Sequence, residues 1–343
     1  MLAALMVGMM SSPIVSPYDR RIVYVGRFDH RSVVGPRGAW PGVGAKVRVQ
    51  GDGVYVTIDD SGPDWLQVEV DGRPTRAVQL EPGVQTIEVR SEKHGTHTFG
   101  FFKRTEASVG ATQFLQFEPI QGKIVQAPRT RRVLQIIGDS ISCGYGNEGT
   151  DPHESFRPAT ENAYMSYGAI AGRAMDADVE IIAGSGRKIW PDNTISSIYD
   201  LTVPTDSTST YDFRGFAPEA IVINLGNSDF SKGNPDEAEW IGAYKGFIAR
   251  LRNRFPKAMI YPAIGGGMLT DGSSPDRPLS TIRAYLTRLV DSLRAAGDKR
   301  IRLIEFDAQQ DADGTGADWH PNVKTHEKMA AKLEFEIKKD LRW

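Results

Sequence analysis

The chain has 343 residues, with 41 Lys and Arg against 43 Asp and Glu, so its formal net charge is −2. That balance gives no general attraction to a polyanion and argues against nucleic-acid binding. A single cysteine, Cys143, excludes an internal disulfide and any Cys/His zinc cluster.

Met1–Met10 is an apolar stretch without a basic flank, followed by Ser-Ser-Pro. It has the character of the central part of an export signal. Residues 1–18 are therefore set aside as a signal remnant or tail, and a secreted or periplasmic location is expected. No run approaches the ~20 apolar residues of a membrane helix, so no membrane partner is expected.

Residues 19–128 show short alternating runs divided by turn residues. Ala45–Gln50 alternates, Gly51-Asp52-Gly53 reads as a hairpin turn, and Val54–Ile58 follows. Trp65–Val70, Val84–Arg90, His97–Phe102 and Thr112–Phe117 continue the series. No helical period appears, and the regular spacing predicts a jelly-roll β-sandwich.

Residues 129–343 alternate strand and helix patterns. Strands are predicted at 132–137, 179–183, 220–225, 258–261 and 301–306. Helices are predicted at 162–175, 235–255, 280–296 and 323–341. This order predicts a parallel sheet with helices on both faces, an α/β/α domain following the all-β one.

In such a sheet, ligands meet the carboxyl ends of the strands. Three loops fall there: Gly138-Asp139-Ser140 after the first strand, Gly226-Asn227-Ser228-Asp229 after the third, and Asp318-Trp319-His320-Pro321 after the last. A serine, an acid-flanked histidine and loop amides supply a nucleophile, a base and an oxyanion hole for acyl transfer. Position 142 is Ser, so the nucleophile elbow Gly-x-Ser-x-Gly of the α/β-hydrolases is absent.

These blocks resemble the SGNH (GDSL) hydrolases. The longer strings Ile137–Gly149, Ile223–Ser231 and Asp318–Met329, with Val25–Asp29 and Ala39–Gly42, resemble carbohydrate esterase family 2 over residues 22–340. The resemblance implies an N-terminal jelly roll on an SGNH-type three-layer domain. It implies removal of O-acetyl groups from plant-type polysaccharides or sugars, with no metal or organic cofactor. Ser140 then stands as nucleophile, His320 as base, and Asp318 as the acid orienting His320, with a backbone carbonyl in that role as the alternative. Substitution of Asp318 by Ala is expected to lower turnover at least ~10²-fold.

The oxyanion hole is assigned to the Ser140 and Gly186 amides with Asn227 or Ser228. Ser228 stands where the family carries Asn, and Lys188 where relatives have Gly. Trp190 and Trp319 are candidate platforms for a sugar ring. The expected partner is an acetylated polysaccharide or oligosaccharide, and a monomer is the default. Other small acyl esters, or a weakly catalytic carbohydrate-binding protein, are the alternatives.

Overall fold

The computed structural model describes residues 13–267, 269–272 and 274–343. Residues 1–12, and with them the apolar signal-like stretch, lie outside the described residues. Val15, in the segment set aside as a tail, exchanges two main-chain hydrogen bonds with Phe117 and is buried.

The N-terminal domain is a curled antiparallel sheet. Its strands are β1 (Val23–Val25), β2 (Arg37–Gly38), β3 (Gly44–Asp60), β4 (Trp65–Val70), β5 (Arg73–Gln79), β6 (Gly83–Lys103), β7 (Thr112–Ile120) and β8 (Lys123–Val125). The order is β2-β7-β3-β6-β4-β5, with β1 and β8 also on β3. Val47, Val49, Val54, Val56 and Ile58 of β3 are all fully buried, and the core is built on that stripe.

The hairpin expected at Gly51–Gly53 is not there: β3 runs straight through it. Its first half pairs with β1, β8 and the far half of β6; its second half pairs with β7 and the near half of β6. The register shifts between Gly51 and Gly53. A Cβ at Gly53 would lie 2.2 Å from the Val89 carbonyl oxygen, and one at Gly51 2.7 Å from that of Ile120. The glycines permit close backbone approach at a bulge, which reads in sequence like a turn. For the same reason the two runs at 84–90 and 97–102 are one strand, β6.

The second domain holds five parallel strands: β9 (Arg132–Gly138), β10 (Ala177–Ala183), β11 (Ala220–Asn224), β12 (Met259–Ile264) and β13 (Ile304–Glu305). Their order is β10-β9-β11-β12-β13. Every residue of β11 and β12 is buried, as expected for strands covered on both faces. The helices are α1 (Ser140–Cys143), α2 (Tyr167–Ala174), α3 (Ile195–Ile198), α4 (Asn227–Phe230), α5 (Glu237–Arg254), α6 (Pro278–Ala295) and α7 (Val323–Leu341). Side-chain caps fix two starts: Asp236 accepts from the Glu239 amide at 3.0 Å, and Asn322 from the Thr325 amide at 3.1 Å. The helix expected over 162–175 is broken into a short 3₁₀ turn and α2, because the Asn162 side chain caps the turn at Met165.

The domains are locked by buried charge. Arg27, fully buried in the loop after β1, pairs with Glu180 of β10 at 3.0 Å and lies 4.2 Å from the Tyr211 ring centroid. Glu180 also accepts from Gln135 Nε2 at 2.5 Å, so the pair is hydrogen-bonded as well as neutralised. Among the described residues, no helix is long and apolar enough to cross a membrane.

Candidate active site

From β9 the chain continues to β10 on one side in the sheet, and from β11 to β12 on the other. That reversal opens a crevice at the carboxyl ends of β9 and β11. Ser140 follows β9 directly and Asn227 follows β11, so both stand at the crevice.

The turn that carries Ser140 is set by local side chains. Asp139 caps α1, its Oδ1 accepting from the Ile141 amide at 3.1 Å. Gly144 closes the turn in the left-handed region with φ 74°, and a Cβ there would meet the Asn162 carbonyl oxygen at 2.4 Å. Ser142 bonds the Tyr167 hydroxyl at 2.9 Å beneath the turn. Cys143 is buried, and burial pushes its thiol well above the ordinary range. Burial pushes the Asp139 carboxyl up to about 7.

His320 Nε2 lies 2.8 Å from Ser140 Oγ. His320 Nδ1 lies 2.9 Å from the main-chain carbonyl oxygen of Asp318. The expected carboxylate contact is absent: the Asp318 side chain accepts instead from the Tyr145 hydroxyl, at 3.5 Å. The cause is the backbone. Asp318 and Trp319 both have left-handed φ, 50° and 60°, and the tight turn aims the carbonyl at the ring. A carbonyl can only accept, so the proton sits on Nδ1 and the Nε2 lone pair faces the serine. Burial holds the His320 pKa below its ordinary value, against the opposing pull of the Asp318 carbonyl and carboxylate.

The other expected residues are spread around this pair. Gly186 has φ 72°, and its carbonyl accepts from Asn193 Nδ2 at 2.9 Å. Asn227 begins α4 with its amide beside the Asp139 carboxyl, and Ser228 next to it is half-buried. Asp229 Oδ1 takes the main-chain amides of Ile189 and Trp190, each at 3.0 Å, and Trp240 Nε1 at 2.9 Å. It thereby ties the loop after β10 to α4. Trp190 is half-buried against the core, whereas Trp319 is 52% exposed, its ring centroid 5.1 Å from that of His153 with the two rings nearly perpendicular.

Sequence reasoning missed Tyr145, whose ring centroid lies 4.3 Å from that of His320 and 4.6 Å from that of Phe156. Its place five residues after Ser140 was the available signal. Burial, with the nearby Asp318 charge, pushes the Tyr145 hydroxyl up to about 12. It also missed Arg104 and Glu106, which reach the site from the β domain and carry no motif.

Residues 24–128 match the family model for the carbohydrate esterase 2 N-terminal region. Residues 136–328 match that of the GDSL-like lipase/acylhydrolase family. The chain is 38% identical over 330 residues to the cellulase/esterase CelE of Acetivibrio thermocellus, covering 94% of this chain and 40% of that one. It therefore spans well under half the length of that relative. An acetylxylan esterase / glucomannan deacetylase of Cellvibrio japonicus is 24% identical over 351 residues, covering 98% of this chain and 93% of the other. A solved family two carbohydrate esterase from Clostridium thermocellum, in complex with cellohexaose, superposes with TM-score 0.89 at 38% identity, covering 94% and 99% of the two chains. With both family models in sequence on one chain and a full-length structural match, this chain belongs to carbohydrate esterase family 2 of the SGNH (GDSL) hydrolases.

Proposed function

We propose that the protein is a serine esterase that removes O-acetyl groups from plant-type polysaccharides or their oligosaccharides. The observation that carries this reading is the Ser140 Oγ to His320 Nε2 distance of 2.8 Å, with the other ring nitrogen held on a carbonyl.

Serine is a weak nucleophile until a base takes its proton. In the proposed reaction Ser140 Oγ attacks the acetyl carbonyl carbon while His320 Nε2 takes the hydroxyl proton. The carbonyl oxygen becomes the oxyanion, which accepts hydrogen bonds from the Ser140 and Gly186 amides and from a side chain of Asn227 or Ser228. The tetrahedral intermediate collapses, the sugar oxygen leaves, and His320 returns the proton to it. Water then attacks the acetyl-Ser140 ester with His320 again as base, releasing acetate and the free serine. The Asp318 carbonyl stabilises the transient imidazolium through its dipole, so the catalytic role expected of the Asp318 carboxylate passes to its main chain.

Trp319, exposed beside the base, and Trp190 offer aromatic faces for a sugar ring. A polymeric substrate would place the protein outside the cytoplasm. The test is acetate release from acetylated xylan, acetylated glucomannan and 4-nitrophenyl acetate, with Ser140→Ala beside wild type. Release from the polysaccharides that disappears in the variant is the expected result. Activity on the small ester alone would move the substrate to other acyl esters. No Ser140-dependent release would leave a carbohydrate-binding protein.

A further inference from the structure

The β domain does more than lie against the hydrolase domain. Directly after β6, residues 104–106 leave the sheet and run beneath the active-site loops, all three buried. Arg104 pairs with Glu148 and donates to the carbonyls of Glu161 and Ala159, each at 3.3 Å. The Glu106 amide donates to Glu161 Oε2 at 3.0 Å.

Glu106 Oε2 then reaches both walls of the crevice. It accepts the Ser185 amide at 2.7 Å, between Gly184 and Gly186. It also lies 3.9 Å from Cys143 Sγ, in the helix that Ser140 begins. One oxygen from the β domain thus joins the nucleophile helix to the loop assigned the second oxyanion amide.

The surroundings hold that oxygen in place. Lys103 Nζ donates to the Glu106 carbonyl at 3.0 Å and to the Asp64 carboxylate at 2.7 Å, entirely buried. Burial pushes the carboxyl of Glu161 alongside well above the ordinary range. A lost partner for a buried N–H is costly.

From this geometry we infer that Glu106 of the β domain is a positioning residue for ester hydrolysis, fixing the Ser185–Gly186 turn at the distance from Ser140 that the oxyanion needs. The inference rests on the esterase reading above. Glu106 touches no substrate; it acts through Ser185. Orientation of this kind is needed in the transition state and not for substrate binding, so it affects kcat and leaves KM alone.

The experiment uses the full chain with Glu106→Ala and Glu106→Gln, measuring kcat and KM on 4-nitrophenyl acetate and the unfolding midpoint of each variant. Alanine is expected to lower kcat about 10–10²-fold with KM within about twofold of wild type, in the range of a weakened oxyanion donor. Glutamine keeps an acceptor for Ser185 and is expected to recover most of that loss, staying within about tenfold of wild type. If Glu106→Ala does not fold, the glutamine variant decides alone: a fall in kcat of more than about twofold at unchanged KM supports the inference, and a kcat within about twofold of wild type overturns it. Both variants within twofold of wild type in kcat, or a rise in KM at constant kcat, overturn it. Wild type without Ser140-dependent hydrolysis, and without labelling of Ser140 by a fluorophosphonate, sinks the esterase reading and this inference together. An active wild type with indifferent variants sinks this inference only.

Discussion

The two halves of the proposed catalytic pair, Ser140 and His320, are held by different means. The Ser140 turn is fixed by side chains and a glycine: the Asp139 cap, the Ser142–Tyr167 bond and left-handed Gly144. The His320 turn is fixed by main chain: left-handed Asp318 and Trp319, with a carbonyl on Nδ1. Side-chain scaffolding is sensitive to single substitutions, whereas a carbonyl survives every one that keeps the turn. The two turns therefore respond differently to mutation while serving one reaction.

The largest expected effect tests that they act as a unit. Ser140→Ala and His320→Ala should each lower kcat by at least ~10³-fold, and the double variant should be no worse than either single one. Steady-state hydrolysis of 4-nitrophenyl acetate measures this; multiplying losses would mean that the two residues act independently. On the nucleophile side, Gly144→Ala places a Cβ 2.4 Å from a carbonyl oxygen in a left-handed position and should cost about 1–3 kcal/mol of stability. Urea unfolding reads that value.

The contrast sharpens at Asp318. With the carbonyl in place, Asp318→Ala should lower turnover less than about tenfold, well short of the ~10²–10⁴ of a relied-upon carboxylate. A hundredfold loss with an unchanged fold would restore the acid to the triad. The smallest effect is in the pH profile. His320 is active when neutral, and its folded pKa lies below the ordinary 6.5. kcat/KM should therefore hold down through pH 6.5 and fall only at lower pH, with unit slope. The unfolded chain binds that proton more readily, so the His320 contribution to stability also declines as pH drops below 6.5. An activity midpoint at or above 6.5 would contradict the buried, carbonyl-held imidazole.

The same division explains what could be read from the sequence. The order of strands and helices in the α/β domain followed from hydrophobic period, and α7 spans the expected 323–341. Ser140 and His320 were found by their places after strands, and the structure brings them within hydrogen-bond distance. The sequence left the partner of Nδ1 open between the Asp318 carboxylate and a backbone carbonyl, because two consecutive non-glycine residues in left-handed conformation leave no mark in composition. In the β domain, Gly51 and Gly53 gave the signal of a turn, because a bulge and a turn ask for the same residue. Glu106 was invisible for another reason: its meaning depends on a contact between domains, with Ser185 far along the chain.

The continuous pairing of β3 with β6 bears on how an active molecule is made. It joins Gly44 to Phe102 at one end and Asp60 to Gly83 at the other, so the sheet closes only after all of β6 has been synthesised. Non-local strand pairing of this kind is slow. Residues 104–106 leave β6 at the end where it pairs with the start of β3, and Ser140 follows them in the chain. During synthesis the β domain can thus finish its sheet and present Arg104 and Glu106 before Ser140 has a partner to meet. The first domain is then a template on which the second one's reactive loops are ordered, and a chain that begins after residue 128 would lack that template during assembly.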